Sequence, residues 1–348
     1  MKKVAIYTLN GNFNYGNRLQ NYALQEVIKS LNYECETVIL KNKITVNLLI
    51  KNFKKIVKII LCMNKRENNF KKFSKKYIIE TRESSKKYDY YVCGSDQVWN
   101  YTFDTFSDKY LFAHLNIKNK ISYAASIGLN KIDDEYKNLF KENLMKFKAI
   151  SLREEKGNEL VKELTNRVDI ETVIDPTMLV DETKWNKIMK KPEILNANNY
   201  ILTYFLGDLS ANRKKEIIRV ANENNCEIIN IMDKKSPYYN CDPAEFLYLE
   251  KHAFLICTDS FHSSVFALLF NRPFIIFDRE QKAYMNMNSR LKTLVEKFDL
   301  KNRTFEGKIT EDNLNHDYTL AFKILKEERK KSMLFLKNAL DYPSRDGE

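Results

Sequence analysis

Glycine, proline and histidine are scarce in this 348-residue chain, which carries eight, six and four of them. So few breakers exclude collagen-like and low-complexity architectures. The six cysteines stand at 35, 62, 93, 226, 241 and 257, so no CxxC pair exists. With only four scattered histidines beside them, no metal site is expected, and the cysteines read as reduced thiols of a cytoplasmic protein. No uncharged apolar run approaches the roughly twenty residues that a membrane span needs. Met1-Lys2-Lys3 precedes the apolar Val4-Ala5-Ile6-Tyr7, but that run is too short for a secretion signal and ends at Asn10-Gly11-Asn12. No GxGxxG or Walker pattern occurs, so a dinucleotide or P-loop site is not supported. There is no short-period repeat.

What the chain does have is apolar residues, 44% of the total, enough for one large domain or two smaller ones. It also has a net charge of +12, unevenly placed. Residues 41–87 hold fifteen Lys and Arg against three Glu, and the remainder balances at 43 basic against 43 acidic. A body-wide basic surface of the kind nucleic acid attracts is therefore not indicated, and no nucleic-acid partner is expected. Within that segment Leu49, Phe53, Ile56, Val57 and Ile60 share one helical face at about 100° per residue, with Lys51, Lys54, Lys55 and Lys58 opposite. A basic amphipathic helix of this kind can lie on an anionic membrane surface; a packed helix with a solvated lysine face is the other reading.

The order of elements is more informative. Residues 4–9 read as a strand, 10–17 as an Asn/Gly-rich loop, 19–28 as a helix and 36–40 as a strand, the opening of a Rossmann-like half. Further strands follow at 90–93, 121–125, 149–152 and 173–174, with a helix at 135–147. A second alternation starts at 200–205 and runs through a helix at 212–224 to strands at 227–232, 254–257 and 274–277. Helices at 244–250 and 263–270 interleave with them. The expected fold is α/β, two Rossmann-like domains facing a cleft, with C-terminal helices. The domains are 1–185 with the basic insert 41–87 on the acceptor or membrane side, 186–317 on the donor side, and 318–348, a helical stretch that can pack back on the first domain.

Ligands of open α/β sheets collect beyond the carboxyl ends of strands. Polar clusters fall there at 10–17, 94–100, 153–154, Asp175 and 258–264. Gly16 and Asn17 at a helix start would present N–H groups to an anion, with Arg18 adding charge; equally, they could simply form the turn and its cap. Asp96 stands just past a strand, suited to accept a proton from a hydroxyl, with Gln97 and Trp99 beside it. Trp99 could face a sugar ring or fill the core. Arg153 ends another strand and offers a planar fork to a carboxylate or phosphate, or pairs with Glu154 or Glu155. Ser260, Ser263 and Ser264 can cap the helix that follows, and His262 at that end can donate to a phosphate or transfer a proton. Ser260 and His262 beside Asp259 do not make a nucleophilic triad, because sequence neighbours rarely provide its geometry and no GxSxG elbow is present.

The blocks GNFNYGNRLQNYALQ, YVCGSDQVWN, ISYAASIG, ISLREE, VIDPTMLV and TDSFHSSVFALLFNRPFIIF, in that order, resemble the polysaccharide pyruvyl transferase family over most of the chain. The resemblance implies a two-domain fold like the GT-B glycosyltransferases. It implies transfer of the enolpyruvyl unit of phosphoenolpyruvate onto a sugar of a cell-surface polysaccharide or its lipid-linked precursor, forming a pyruvate ketal. Phosphoenolpyruvate is then a donor substrate, no cofactor is needed, and the enzyme works in the cytoplasm or peripherally on the inner membrane face. By block position His262 is the acid or phosphate donor, Arg153 a cationic clamp and Asp96 the base. One departure stands out: many members carry Arg two residues before the histidine, where this chain has Ser260, and Arg272 is a candidate replacement. Two other readings remain open: a GT-B-like glycosyltransferase using a nucleotide sugar, and a non-catalytic glycan-binding relative.

Overall fold

The computed structural model describes residues 1–40, 53–82, 87–279 and 289–341, with the side chains of 53–64 excepted. The first half runs β1 (Lys3–Tyr7), α1 (Tyr15–Ser30), β2 (Glu34–Ile39), α2 (Phe53–Tyr77), β3 (Glu80–Arg82), β4 (Tyr90–Cys93) and β5 (Lys120–Ala125). It continues through α3 (Asp134–Leu144), β6 (Ala149–Leu152), α4 (Glu155–Thr165), β7 (Ile170–Thr172), α5 (Pro176–Leu179) and α6 (Glu182–Ile188). The second half holds β8 (Tyr200–Tyr204), α7 (Ala211–Glu223), β9 (Glu227–Asn230), α8 (Pro243–His252), β10 (Leu255–Thr258), α9 (Phe261–Leu269) and β11 (Phe274–Ile276). Helices α10 (Ser289–Lys297), α11 (Glu311–Leu314) and α12 (Thr319–Ala339) close the chain.

The strands form two sheets, seven-stranded in the order β3-β2-β1-β4-β5-β6-β7 and four-stranded in the order β11-β10-β8-β9. Every neighbouring pair is parallel. Central strands such as β1, β4 and β8 are apolar on both faces because helices cover both sides, as a parallel sheet requires. In the first sheet the chain leaves β1 toward β2 and later returns to its other side with β4. In the second, β8 lies between β9 and β10. Each reversal opens a crevice at the strands' carboxyl ends.

The two halves share one apolar core. Tyr15 on α1 stacks on Phe246 of α8 with ring centroids 4.4 Å apart, and Trp185 on α6 meets Phe266 of α9 edge-on at 5.0 Å. Helix α12 returns to the first half: Ser332 Oγ accepts Ile174 N–H at 3.1 Å, Arg329 Nε donates to Met178 O at 2.6 Å, and Tyr33 OH donates to Leu340 O at 2.6 Å. The basic insert supplies edge strand β3 and helix α2. Arg66 on α2 is buried among the rings of Tyr15, Phe70 and Tyr239 and donates to Tyr15 OH, Phe13 O and Tyr239 O, tying the insert to the second half.

Several boundaries differ from the sequence reading. Helix α1 begins at Tyr15, so Gly16, Asn17 and Arg18 lie in its first turn; Asn14 caps it by accepting Asn17 N–H. Strand β7 ends at Thr172, and Val173 and Ile174 lead from it to Asp175, the N-cap of α5. Helix α9 starts at Phe261, which puts His262 inside its first turn.

Candidate functional site

Loops from the carboxyl ends of both sheets converge on one carboxylate, Asp175, which is fully buried. As N-cap of α5 it uses Oδ1 to accept Thr177 N–H at 3.0 Å and Thr177 Oγ1–H at 2.7 Å. Its other oxygen, Oδ2, accepts Ser95 Oγ–H at 2.5 Å and Arg153 Nη1–H at 2.8 Å. His262, from the other half of the molecule, brings Nε2 to 3.5 Å from the same oxygen. Burial alone would raise the Asp175 pKa; His262, Arg153 and Ser95 together hold it well below the usual carboxylate range. The carboxylate is thus ionised, an anion held against the imidazole ring.

Helix α1 fixes the other side of that imidazole. A Cβ at Gly16 would lie 2.1 Å from His262 Nδ1, so only glycine lets the first turn of α1 approach the ring. The N-termini of α1 and α9 therefore meet at the histidine. Ser260 is the N-cap residue of α9 and makes no side-chain capping bond, and with Phe261 and His262 it brings the start of that helix to the cleft wall.

Asp96 lies next to this centre, in the left-handed region at φ +86°. That conformation is uncommon outside glycine and is held by bonds on both sides, Asp96 O accepting Val98 N–H and Ser126 N–H. Its carboxylate accepts Gln97 N–H and Asn17 Nδ2–H, each at 2.8 Å, with Arg153 Nη2 at 3.9 Å. Burial pushes the Asp96 pKa up; Arg153, His262, Arg290 and the Gln97 amide outweigh it and hold the group below its ordinary value. A carboxylate so held is a weak base and a good hydrogen-bond acceptor.

Between the halves lies a cleft of ≈ 260 Å³, lined by Asn17, Asp96, Gln97, Ser260, His262, Arg279 and Arg290, among others. Sequence reasoning brought the first five of these together and missed the two arginines. Arg279 follows β11, and its Nε donates to Asp259 Oδ2 at 3.1 Å. Arg290 opens α10 and is only 7% exposed. Neither follows a motif, and their only local signal is a cation just past a strand or at a helix start.

Other expected residues sit elsewhere. Arg153 is buried behind the cleft, stacked at 4.4 Å over the Phe261 ring, and its partner is Asp175, not Glu154 or Glu155. Glu154 instead accepts the N–H groups of Ile127 and Gly128 and the Ser126 hydroxyl. The donor role expected for Arg18 is corrected: its guanidinium turns to Glu80 at 2.7 Å and to Leu9 O, satisfying the edge of the first sheet. Arg272 follows the C-terminal end of α9, a helix length from His262, and cannot replace a cation at position 260. Trp99 is wholly buried, its indole N–H donating to Tyr110 O at 3.1 Å, so it offers no face to a sugar. Ser263 donates to buried Glu250 and Ser264 to Ser260 O, so neither caps α9. Lys51 lies outside the described residues, as do the side chains of Lys54, Lys55 and Lys58. Among the described residues no cluster of His, Cys, Asp or Glu is placed to hold a metal, and no helix is long and apolar enough to cross a membrane.

The family model for polysaccharide pyruvyl transferase matches residues 14–281, a stretch that contains Asn17, Asp96, Arg153, Asp175 and His262. The chain belongs to the polysaccharide pyruvyl transferase family. That family is one of enzymes. Among solved structures the chain is similar to UDP-N-acetylglucosamine 2-epimerase from Rickettsia bellii, with 13% identity, a TM-score of 0.51, and coverage of 100% of this chain and 99% of that one. The Neisseria meningitidis UDP-GlcNAc 2-epimerase, bound to UDP-GlcNAc, is more distant, with 11% identity, a TM-score of 0.47 and 98% of each chain covered. The first likeness shows a GT-B-like fold and nothing about the reaction. Comparison with curated proteins by sequence returned no match.

Proposed function

We propose that this pyruvyl transferase takes its pyruvyl group from phosphoenolpyruvate and joins it to two hydroxyls of one sugar in a cell-surface polysaccharide or a lipid-linked precursor. The observation that carries the reading is the Asp175–His262 pair at the cleft, an imidazole held 3.5 Å from a buried carboxylate where two helix N-termini meet. Phosphoenolpyruvate is an anion at both ends, and such a site stabilises anions without reorganising. His262, held beside Asp175, gives a proton to the methylene carbon of the donor, which becomes a methyl group, and the adjacent carbon becomes oxocarbenium-like. One sugar hydroxyl adds to that carbon and passes its proton to the imidazole, which has just given one up. Phosphate departs with its C–O electron pair, and the second hydroxyl adds to the same carbon, closing the ketal as its proton passes to the departing phosphate. Asp96 accepts the hydrogen bond of the incoming hydroxyl and aims it, with Gln97 alongside. Arg153 acts through Asp175 and Asp96 as a positioning residue. Ser260, Asn17 and the first turn of α9 contact the donor. The reaction needs no resident cofactor. The basic segment 41–87, with its lysine face, would hold an anionic inner-membrane surface on which a lipid-linked acceptor is presented, with the enzyme itself cytoplasmic.

The test is phosphate release from phosphoenolpyruvate in the presence of glycan acceptors. Wild-type protein should release phosphate only with acceptor, and His262→Ala should lose about 10²–10⁴-fold in kcat. No release with any acceptor, together with no phosphoenolpyruvate binding, would reject the reading.

A nucleotide-sugar glycosyltransferase is the second reading, and one observation favours it. A larger groove of ≈ 820 Å³ adjoins the cleft through Leu206 at the carboxyl ends of β8 and β9, room enough for a nucleoside. Thermal stabilisation by UDP, GDP or CMP with indifference to phosphoenolpyruvate would select it.

A further inference from the structure

Among the described residues, Arg290 is the cation of the cleft with no carboxylate in ion-pair reach. Arg153 is paired with Asp175 at 2.8 Å and Arg279 with Asp259 at 3.1 Å. Arg290 is 93% buried by the same measure that leaves it 7% exposed, and its Nε has no acceptor. Among the described residues no carboxylate stands within ion-pair distance of it. Asp96 and Glu154 attract it from further away; Asp96 accepts Gln97 N–H and Asn17 Nδ2–H, and Glu154 Oε1 accepts three donors while its Oε2 has no hydrogen-bond partner. Arg153 and Arg279 repel it. Burial first, and Arg153 next, push its pKa down to about 9. A buried, like-charged, unpaired guanidinium is unfavourable in the empty protein, and an incoming anion would relieve it.

Its position says where that anion would lie. Arg290 lines the same cleft as Ser260, Phe261 and His262, the uncapped start of α9. A guanidinium fork and a free helix N-terminus converging on one small space are the pair of devices suited to a phosphate group. Position 260, the N-cap of α9, is a serine and brings no charge to that helix start, and Arg272 is at the far end of α9. Arg290 also lies beyond the stretch that matches the family, residues 14–281.

We propose that Arg290 and the N-terminus of α9 form the phosphate subsite of this enzyme, with Arg290 supplying from another helix the charge that position 260 lacks. This rests on the pyruvyl-transfer reading for the identity of the donor, though not for the existence of the anion site. The guanidinium holds the phosphate in the ground state and takes up its added negative charge as the C–O bond breaks, which would lower KM and raise kcat together.

The experiment compares wild type with Arg290→Met and Arg290→Lys in thermal shift and calorimetry. The ligands are inorganic phosphate, phosphoenolpyruvate, pyruvate and UDP. Without ligand, Arg290→Met should melt at or above the wild-type temperature, because it removes an uncompensated buried charge. Wild type should be stabilised by phosphate and phosphoenolpyruvate and not by pyruvate. Arg290→Met should weaken both phosphate ligands at least tenfold, with Arg290→Lys between. An Arg290→Met protein that melts lower or fails to fold would make Arg290 a structural residue and overturn the proposal, as would wild-type KM and kcat for phosphoenolpyruvate in that variant. If phosphate and UDP depend on Arg290 while phosphoenolpyruvate does not bind, the phosphate subsite stands and the pyruvyl-transfer reading falls.

Discussion

Two buried aspartate–arginine pairs flank the cleft, one in each half. Asp175 and Arg153 belong to the first half, Asp259 and Arg279 to the second. Asp259 works within its own half: its oxygens accept Leu206 N–H at 2.7 Å, Gly207 N–H at 2.8 Å and Arg279 Nε–H at 3.1 Å, so it ties the ends of β8 and β11 together. Asp175 works across the molecule, because the oxygen that binds Arg153 also faces His262 from the other half. The same residue types thus build a cleft wall in one place and, in the other, face an imidazole from the opposite half. What separates them is the single histidine that reaches Asp175.

The largest effect should come from breaking both pairs and comparing the results. Asp175→Ala strands Arg153 in the interior and should cost about 3–5 kcal/mol of stability, together with most of kcat. Asp259→Ala should cost about 2–3 kcal/mol, since its two backbone donors are only part-buried and can turn to water, and it should act on KM more than on kcat. Urea denaturation and steady-state kinetics of the two variants separate the roles. Equal loss of kcat in both would erase the distinction. The Asp175 pKa is depressed on folding, so its contribution is fully present above the unfolded value of about 3.9 and fades as pH falls through the lower folded value. The stability gap between wild type and Asp175→Ala should therefore stay constant from pH 5 to 8 and narrow below pH 4.

A smaller perturbation sharpens the comparison from the other side of the ring. Gly16→Ala puts a methyl group where the imidazole now lies. It should cost about 1–3 kcal/mol and displace His262, lowering kcat roughly a hundredfold with Asp175 untouched. Wild-type kcat in Gly16→Ala would mean that the ring's position is not what the site depends on.

The smallest effect concerns a carboxyl with the opposite shift. Glu250 on α8 is fully buried and accepts the Ser263 hydroxyl beside His262. Burial raises its pKa well above the ordinary value, against the pull of Ser263. Its contribution is fully present below the unfolded value of about 4.3 and is lost as pH rises toward the folded one. Glu250→Gln keeps an acceptor and removes the titration. It should therefore gain on wild type in melting temperature between pH 5 and pH 8, and a constant difference over that range would count against a neutral Glu250.

Much of the fold was legible because its cause is local. Apolar runs of four to six residues alternating with helical stretches specify a parallel sheet, and the restart of that alternation at 200–205 marked the second half. Cluster positions were legible for the same reason, since a polar residue just past a buried strand must lie at a sheet's carboxyl edge. Partners were not legible. Arg153 is followed at once by two glutamates, yet its carboxylate comes from β7's end, twenty-two residues on. Arg18 was expected at the end of the loop, but it lies in the first turn of α1, which points it to Glu80 on an edge strand hidden in the basic insert. Serines 263 and 264 looked like caps, but a helix that starts at Phe261 turns them inward. Arg290 had no signal beyond a cation at a helix start, because only the packing of α10 brings it to the cleft.

The most direct test of the account is a crystal structure of the protein soaked with phosphoenolpyruvate. The account predicts density for the donor in the cleft between His262 and Arg290, with its phosphate at the start of α9 and its methylene carbon within reach of the imidazole. Donor density in the groove beside Leu206 instead, or none while a nucleotide sugar binds in the cleft, would contradict it.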